Sequence, residues 1–371
     1  MMRETGWGRY RNYIGVIVFA VVVGLVPVLA KKYVHVMTLI GIHSIVTMGL
    51  CLLMGYAGQI SLGQAAFYGL GAYSSAILTV KFFPWLSAQM GRPELESWWV
   101  WPWVAILSGM VFTAMVAYFI GAPILRLRGN YLAMATLGFG IVVHGIFKGF
   151  GLDFVRNITG GGTGIPGVPR LAIGSFALWP KEIYYYLVWA TTLAVLLLSL
   201  NIVNSRVGRA LRSVHGSEVA ANTLGVDTDR YKLQVLVISA VFASVAGSFY
   251  VHYMTVAAPD AHSYGFTASV NLLVMAAIGG LASIWGAPFG AAAVILIKDT
   301  IRDVMPKLLK YASGEHEIIA FGLILVLIMI FMPDGVTVWL VDAVRRVGRR
   351  IAWQPGVAEA AESDSGEASA S

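Results

Sequence analysis

The run Gly162-Thr163-Gly164-Ile165-Pro166-Gly167 has the G-x-G-x-x-G spacing with which glycines let a dinucleotide pyrophosphate approach a helix N-terminus. That chemistry needs a strand before the glycines and a helix starting at them. Here Pro166 and Pro169 lead into more loop, so the run reads as an outer-face loop, mobile or touching a partner. No G-x-x-x-x-G-K-[ST] is present, and any ATP-driven cycle must take its nucleotide site from another polypeptide. His35, His43, His144, His215, His252, His262 and His316 show neither H-E-x-x-H nor another metal spacing. No metal is expected, and histidines inside spans are expected to bond neighbouring helices. No nucleophile with a base and no carboxylate pair can be assembled from the hydrophobic segments, which argues against an intramembrane enzyme. Apart from histidines, those segments offer nothing to load and release a proton. The energy source is therefore expected outside the chain, with sodium sites built from backbone carbonyls as the exception left open.

The polar residues that remain inside apolar sequence are uncharged. Residues 55–73, Gly-Tyr-Ala-Gly-Gln-Ile-Ser-Leu-Gly-Gln-Ala-Ala-Phe-Tyr-Gly-Leu-Gly-Ala-Tyr, join many glycines to hydrogen-bonding side chains. Small residues let helix backbones approach closely, while Gln59, Ser61 and Gln64 can satisfy freed backbone groups or face a polar path. Packing alone would explain the glycines. The glutamines tip the reading toward a translocation path formed by Gly58, Gln59, Ser61, Gly63 and Gln64. A second stretch of similar texture, residues 279–291, carries Gly279, Gly280, Gly286, Pro288 and Gly290. Paired interruptions of this kind are expected where two structural repeats meet at a path.

These residues need elements to hold them. Of the 371 residues 58% are apolar and 12% charged, far from the usual soluble balance, so a membrane is the expected solvent. Apolar runs near 14–30, 33–54, 57–80, 101–121, 130–147, 183–203, 233–257 and 318–332 approach or exceed the roughly 20 residues that cross a bilayer. The fold class is an all-α, polytopic transmembrane helix bundle of about eight full spans, plus a broken re-entrant pair over 266–297. The net charge of +7 comes from Lys and Arg scattered in short loops, not from a basic stripe with aromatics, so no nucleic acid is expected. Arg3, Arg9 and Arg11, Arg126 and Arg128, the loop 204–232 and Arg345, Arg346, Arg349 and Arg350 then share one side. By the positive-inside rule that side is cytoplasmic, as are both termini. Lys298, Arg302, Lys307 and Lys310 fall in an outer loop 298–317, against that rule. Trp98, Trp99, Trp101 and Trp103 read as interfacial anchors, Cys51 as a packing residue, and residues 355–371 as a disordered acidic tail.

In the loop 204–232, Val207, Leu211, Val214, Ala221 and Leu224 recur near helical spacing while Arg206, Arg209 and Arg212 fall mostly elsewhere. An amphipathic helix resting on the membrane would look like this. So would one that docks a partner. A self-contained channel or secondary transporter for a small neutral solute such as urea could use the same glycine breaks, but has no need of a docking helix.

Three segments in order resemble the branched-chain amino-acid permeases of bacterial ABC importers, of the LivM type. They are residues 55–73, the stretch Leu-Arg-Leu-Arg-Gly-Asn-Tyr-Leu-Ala-Met-Ala-Thr-Leu-Gly at 125–138, and the loop from Gly208-Arg209-Ala210-Leu211 through Glu218-Val219-Ala220-Ala221 to Leu224-Gly225-Val226. The resemblance covers roughly 35–335. It implies a permease subunit, residues 1–354, in the bacterial inner membrane, with a second related permease, two cytoplasmic ATPases and a periplasmic solute-binding protein. It implies no cofactor in this chain, ATP being used by the partner subunits. The cargo would be branched-chain amino acids or similar small polar solutes. Ser217, Glu218, Ala220, Ala221 and Gly225 match the family's coupling-helix motif, in which Glu218 would supply a charged contact to the ATPase and the alanines close packing. Val219 stands where a strict Glu-Ala-Ala form has alanine.

Overall fold

The structure is a computed structural model describing residues 6–91, 99–127, 129–174, 176–177, 181–259, 264–308, 321–323, 326 and 330. The acidic tail 355–371, the Arg345 to Arg350 cluster, Trp98 and most of the span 318–332 lie outside the described residues. The described chain is almost entirely helical, and its helices follow the apolar runs. In chain order they are α1 (Gly6–Leu29), α2 (Val34–Leu50), α3 (Gln64–Ile77), α4 (Phe83–Gln89), α5 (Trp101–Ile124), α6 (Asn130–Phe147) and α7 (Asp153–Thr159). Then come α8 (Lys181–Asn204), α9 (Arg206–Gly216), α10 (Glu218–Thr223), α11 (Thr228–Met254), α12 (Phe266–Gly279) and α13 (Gly286–Leu308). A tight turn at Lys31–Tyr33 and a widened π turn at Cys51–Tyr56 extend α2 at its two ends.

Among the described residues, 5 helical stretches are long and apolar enough to cross a membrane: Lys31–Tyr56, Trp101–Ile124, Asn130–Phe147, Lys181–Asn204 and Thr228–Met254. Two shorter apolar helices, Tyr13–Leu29 and Phe266–Gly279, join them. The chain is a multi-pass membrane protein. Burial sorts the helices into a centre and a rim. α2, α3 and α11 are lined on nearly all sides by other helices, whereas α1 and α5 leave Ile14, Ile17, Val21, Leu107, Val111 and Phe119 exposed, as lipid-facing helices do. α11 packs most extensively on α3. Glycines make that contact: a Cβ on Gly71 would collide with the Ser244 backbone, and one on Gly247 with the Tyr68 carbonyl.

Two expectations about element boundaries need correction. The run 57–80 does not start a helix at residue 57; α3 begins at Gln64, after a non-helical segment 57–63. Residues 298–308 are not loop but continue α13, which places Lys298 inside a helix. The glycine-rich loop is also pinned. The short strand Ile165–Pro166 pairs antiparallel with Val256–Ala257, and His252 Nδ1 donates to the Pro169 carbonyl at 2.6 Å while Ser75 Oγ donates to Nε2 at 2.8 Å. His252 and His35, whose Nδ1 lies 2.8 Å from the Tyr253 hydroxyl, bond across helices as expected. His43 instead donates to the Leu39 carbonyl of its own helix, at 2.9 Å.

Candidate functional site

The two glycine-rich breaks meet. Gly55 has no room for a side chain because the Leu281 carbonyl lies against it, and the Tyr56 hydroxyl donates to the Ala282 carbonyl at 3.0 Å. On the other side of that contact, α12 and α13 form a hairpin whose turn, residues 280–285, reaches the same end of α2. Its arms lie backbone to backbone: a Cβ on Gly279 would strike the Gly286 carbonyl, one on Gly286 the Gly279 carbonyl, and one on Gly290 the Met275 carbonyl. Gly280, at φ 93°, turns the chain. All four glycines singled out in sequence therefore sit at the turn or along the seam of this hairpin.

The segment 57–63 exposes the first N–H groups of α3, and hydroxyls from distant helices take them up. Leu62 N–H donates to Thr136 Oγ1 of α6 at 3.0 Å, and Ala65 N–H to Ser269 Oγ of α12 at 3.2 Å. Gln64 is buried, and its Nε2 donates to the Ser239 carbonyl at 3.0 Å and to Ser239 Oγ at 2.9 Å. Gln59 and Ser61 behave differently. Both are buried, yet neither amide atom of Gln59 nor the Ser61 hydroxyl has a protein partner. The two, with Gly63, line a cavity of about 20 Å³ walled by Phe67, Ile120, Phe139 and Leu236. A cavity of that size has room for about one water. Gly58 stands apart, at φ 67°, with its Cα hydrogens toward α9: a Cβ there would lie 3.0 Å from His215 Nδ1.

The loop 204–232 folds as two short helices with hydroxyl caps. Ser205 Oγ accepts from Val207 N–H at 3.1 Å to start α9, and Ser217 Oγ accepts from Ala220 N–H at 3.3 Å to start α10. Gly225, at φ 82°, ends α10 by donating to the Asn222 carbonyl at 3.0 Å, while Val226 N–H reaches back to Ala221 at 3.0 Å. Leu211, Val214 and Ala221 are buried inward. Glu218 meets the buried Lys232 of α11 at 2.5 Å, so α10 is pinned to the transmembrane helix behind it. Outward, Val219 is 65% and Leu224 81% exposed, and Ala220 is exposed between them. The residue at the variant position of the motif, Val219, is thus one of the two large apolar side chains that α10 and its cap present.

The family described as "Branched-chain amino acid transport system / permease component" matches residues 32–333. The chain belongs to this family. It is 28% identical to the high-affinity branched-chain amino acid transport system permease protein LivM of Salmonella typhimurium, over 82% of this chain and 70% of that protein. It is 24% identical to the permease protein LivH of Escherichia coli K12, over 81% of this chain and 92% of LivH. A probable branched-chain amino acid transport permease protein LivM of Methanocaldococcus jannaschii is 22% identical, over 62% of this chain and 67% of that protein. No solved structure matches the chain.

In this permease-family chain the structure also assembles a group that the sequence reading did not single out. His43 of α2, Tyr68 of α3, Tyr250 of α11, Asn271 of α12 and Lys298 of α13 converge on a cavity of about 70 Å³, closed by Ala268, Leu272 and Met275. The signal was there in Lys298. Residues 286–308 form one helix packed on α2, so the lysine that closes its apolar run 286–297 lies inside the bundle and not in an outer loop.

Proposed function

We propose that this chain is a permease subunit of an ATP-driven importer that moves branched-chain amino acids or similar small polar solutes across the bacterial inner membrane. It works with a second related permease, two cytoplasmic ATPases and a periplasmic solute-binding protein, and both of its termini are cytoplasmic. The observation that carries the reading is the route from loop to core. Val219 and Leu224 form an apolar surface on a loop rich in arginine, α9 behind it abuts Gly58, and Gly58 belongs to the break that contacts the α12–α13 turn. A push on α10 therefore arrives at both breaks through packed atoms. The family membership and the transport roles in the names of the LivM and LivH relatives support the cargo class.

On this reading Val219, Ala220 and Leu224 dock on the ATPase, with Ser217 and Gly225 shaping α10, Ala221 packing it and Glu218 tethering it. Gln59 and Ser61 face the path with Gly63, while Gln64 braces α3 against α11. The test is co-purification of the ATPase subunits with the natural chain and with Leu224→Asp. Placing a carboxylate at the centre of an apolar contact costs several kcal/mol of association, about a thousandfold in affinity at 4 kcal/mol. Loss of the ATPases with unchanged membrane insertion is expected. Unchanged association would return the loop to a surface-resting helix and favour a self-contained channel or secondary transporter for a small neutral solute such as urea.

A further inference from the structure

We propose that the cavity between His43, Tyr68, Tyr250, Asn271 and Lys298 is a binding site for a carboxylate, held by the Lys298 ammonium and the Tyr68 hydroxyl as the solute passes. The proposal rests on the transport reading for the identity of the solute, but its chemistry comes from the site.

Position comes first. At 1.5 Å per residue Lys298 stands about 18 Å along α13 from its start at Gly286. Its cavity neighbour His43 stands midway along the membrane-crossing stretch Lys31–Tyr56, so the lysine lies near the middle of a hydrocarbon core about 30 Å thick. A cation held at that depth costs enough that such residues line paths or meet counter-ions. No carboxylate pairs with Lys298 among the described residues. Its ammonium lies over the Phe321 ring, 4.7 Å from the centroid, a contact that leaves its hydrogens free to donate elsewhere. Phe321 holds it on one side, and the cavity opens on the other.

The remaining walls are built for the same ligand. Tyr68 is buried and its hydroxyl, on the cavity, has no protein partner. A buried hydroxyl left without a bond is disfavoured, so an acceptor there is stabilised both by relieving the protein and by its own bond. His43 commits Nδ1 to the Leu39 carbonyl and is thereby fixed as the tautomer whose Nε2 is an acceptor. Together with Asn271, which carries both a donor and an acceptor, and the faces of Tyr68 and Tyr250, it can receive an ammonium next to the carboxylate. Ala268, Leu272 and Met275 supply the apolar side for an aliphatic chain. A cavity of about 70 Å³ takes the charged end of such a molecule with a few waters; seating the rest requires α12 to withdraw from α2. The five polar residues come from five helices, two of them the arms of the broken hairpin, so the site is made or opened by the motion that the hairpin permits.

The test is equilibrium binding of radiolabelled leucine to the full-length chain in lipid nanodiscs. Isovalerate, isoamylamine and chloride are the competitors, and the variants are Lys298→Met, Lys298→Arg and Tyr68→Phe. Isovalerate is expected to displace leucine while isoamylamine and chloride do not. Lys298→Met should weaken binding by tenfold or more, Lys298→Arg should retain it, and Tyr68→Phe, which keeps the ring, should weaken it several-fold. Absence of saturable binding, equal competition by isoamylamine or chloride, or natural affinity in both Lys298→Met and Tyr68→Phe would overturn the site. ATP-driven uptake by the assembled complex is measured beside it. Normal uptake with no Lys298-dependent binding removes the site and leaves the importer; Lys298-dependent binding without ATP-driven uptake does the reverse.

Discussion

At the scale of single residues, Glu218 carries a role within its own chain that its place in the motif does not reveal. As a member of a coupling motif it was expected to contact an ATPase, yet its carboxylate is spent on the buried Lys232 of its own chain. Removing it strands a cation, which costs about 2 kcal/mol for a pair with one partner still partly in water. Glu218→Lys is therefore expected to lower thermal stability and ATPase association together, and the swap Glu218→Lys with Lys232→Glu to restore most of both. A swap that regains stability without association would make Glu218 a direct docking residue. Gln59 poses the opposite case. Its amide has no protein partner, and a residue kept for packing has no reason to be polar. Gln59→Leu should raise the melting temperature, by relieving about 1–3 kcal/mol of unpaired polar burial, and should slow solute uptake. Lower stability with full uptake would assign Gln59 to packing. The types of Glu218 and Gln64 were legible in sequence; their partners were not, because Lys232 and Ser239 are brought to them by α11, whose register no local pattern specifies.

At the scale of elements, hydrophobic runs located α2, α5, α6, α8 and α11 to within about five residues, and the end but not the start of α1, which begins at Gly6 and not near 14, since length and apolarity alone decide whether a segment can cross a bilayer. The pattern failed where backbone, not side chain, decides. Residues 57–63 open a segment read as one apolar run to residue 80, but Gly58 at φ 67° leaves the helical region and hydroxyls from α6 and α12 satisfy what the break frees. The glycines of the hairpin were visible as a break, but their use as a seam between α12 and α13 was not. That seam carries a prediction. Gly290→Val places three carbons against the Met275 carbonyl and should separate the arms, abolishing uptake and lowering stability by about 1–3 kcal/mol. The control Gly24→Ala, in α1 with no atom near its Cβ position, should be neutral by both thermal melting and uptake. Equal tolerance of both changes would mean that the hairpin seam is not tight in the working protein.

At the scale of the whole molecule, a buried trio of α2, α3 and α11 carries the first break and the contact to the loop helices, the α12–α13 hairpin packed on it carries the second break and completes the polar cavity, and lipid-facing helices surround them. Family and membrane class were legible in sequence because three separated motifs kept their order. The polar cavity was not, because its five contributors are scattered from His43 to Lys298 on five helices, and only Lys298, at the end of an apolar run, stands out from its neighbours. The central claim is that ATP hydrolysis on partner subunits drives solute through this chain. It is tested most directly by leucine uptake into vesicles reconstituted with this chain, its permease partner, the two ATPases and the solute-binding protein. Accumulation above the external concentration is expected only with hydrolysable ATP, and its loss with Leu224→Asp. Leucine entering at the same rate without ATP, or through this chain alone and only down its gradient, would contradict the account and make the protein a channel.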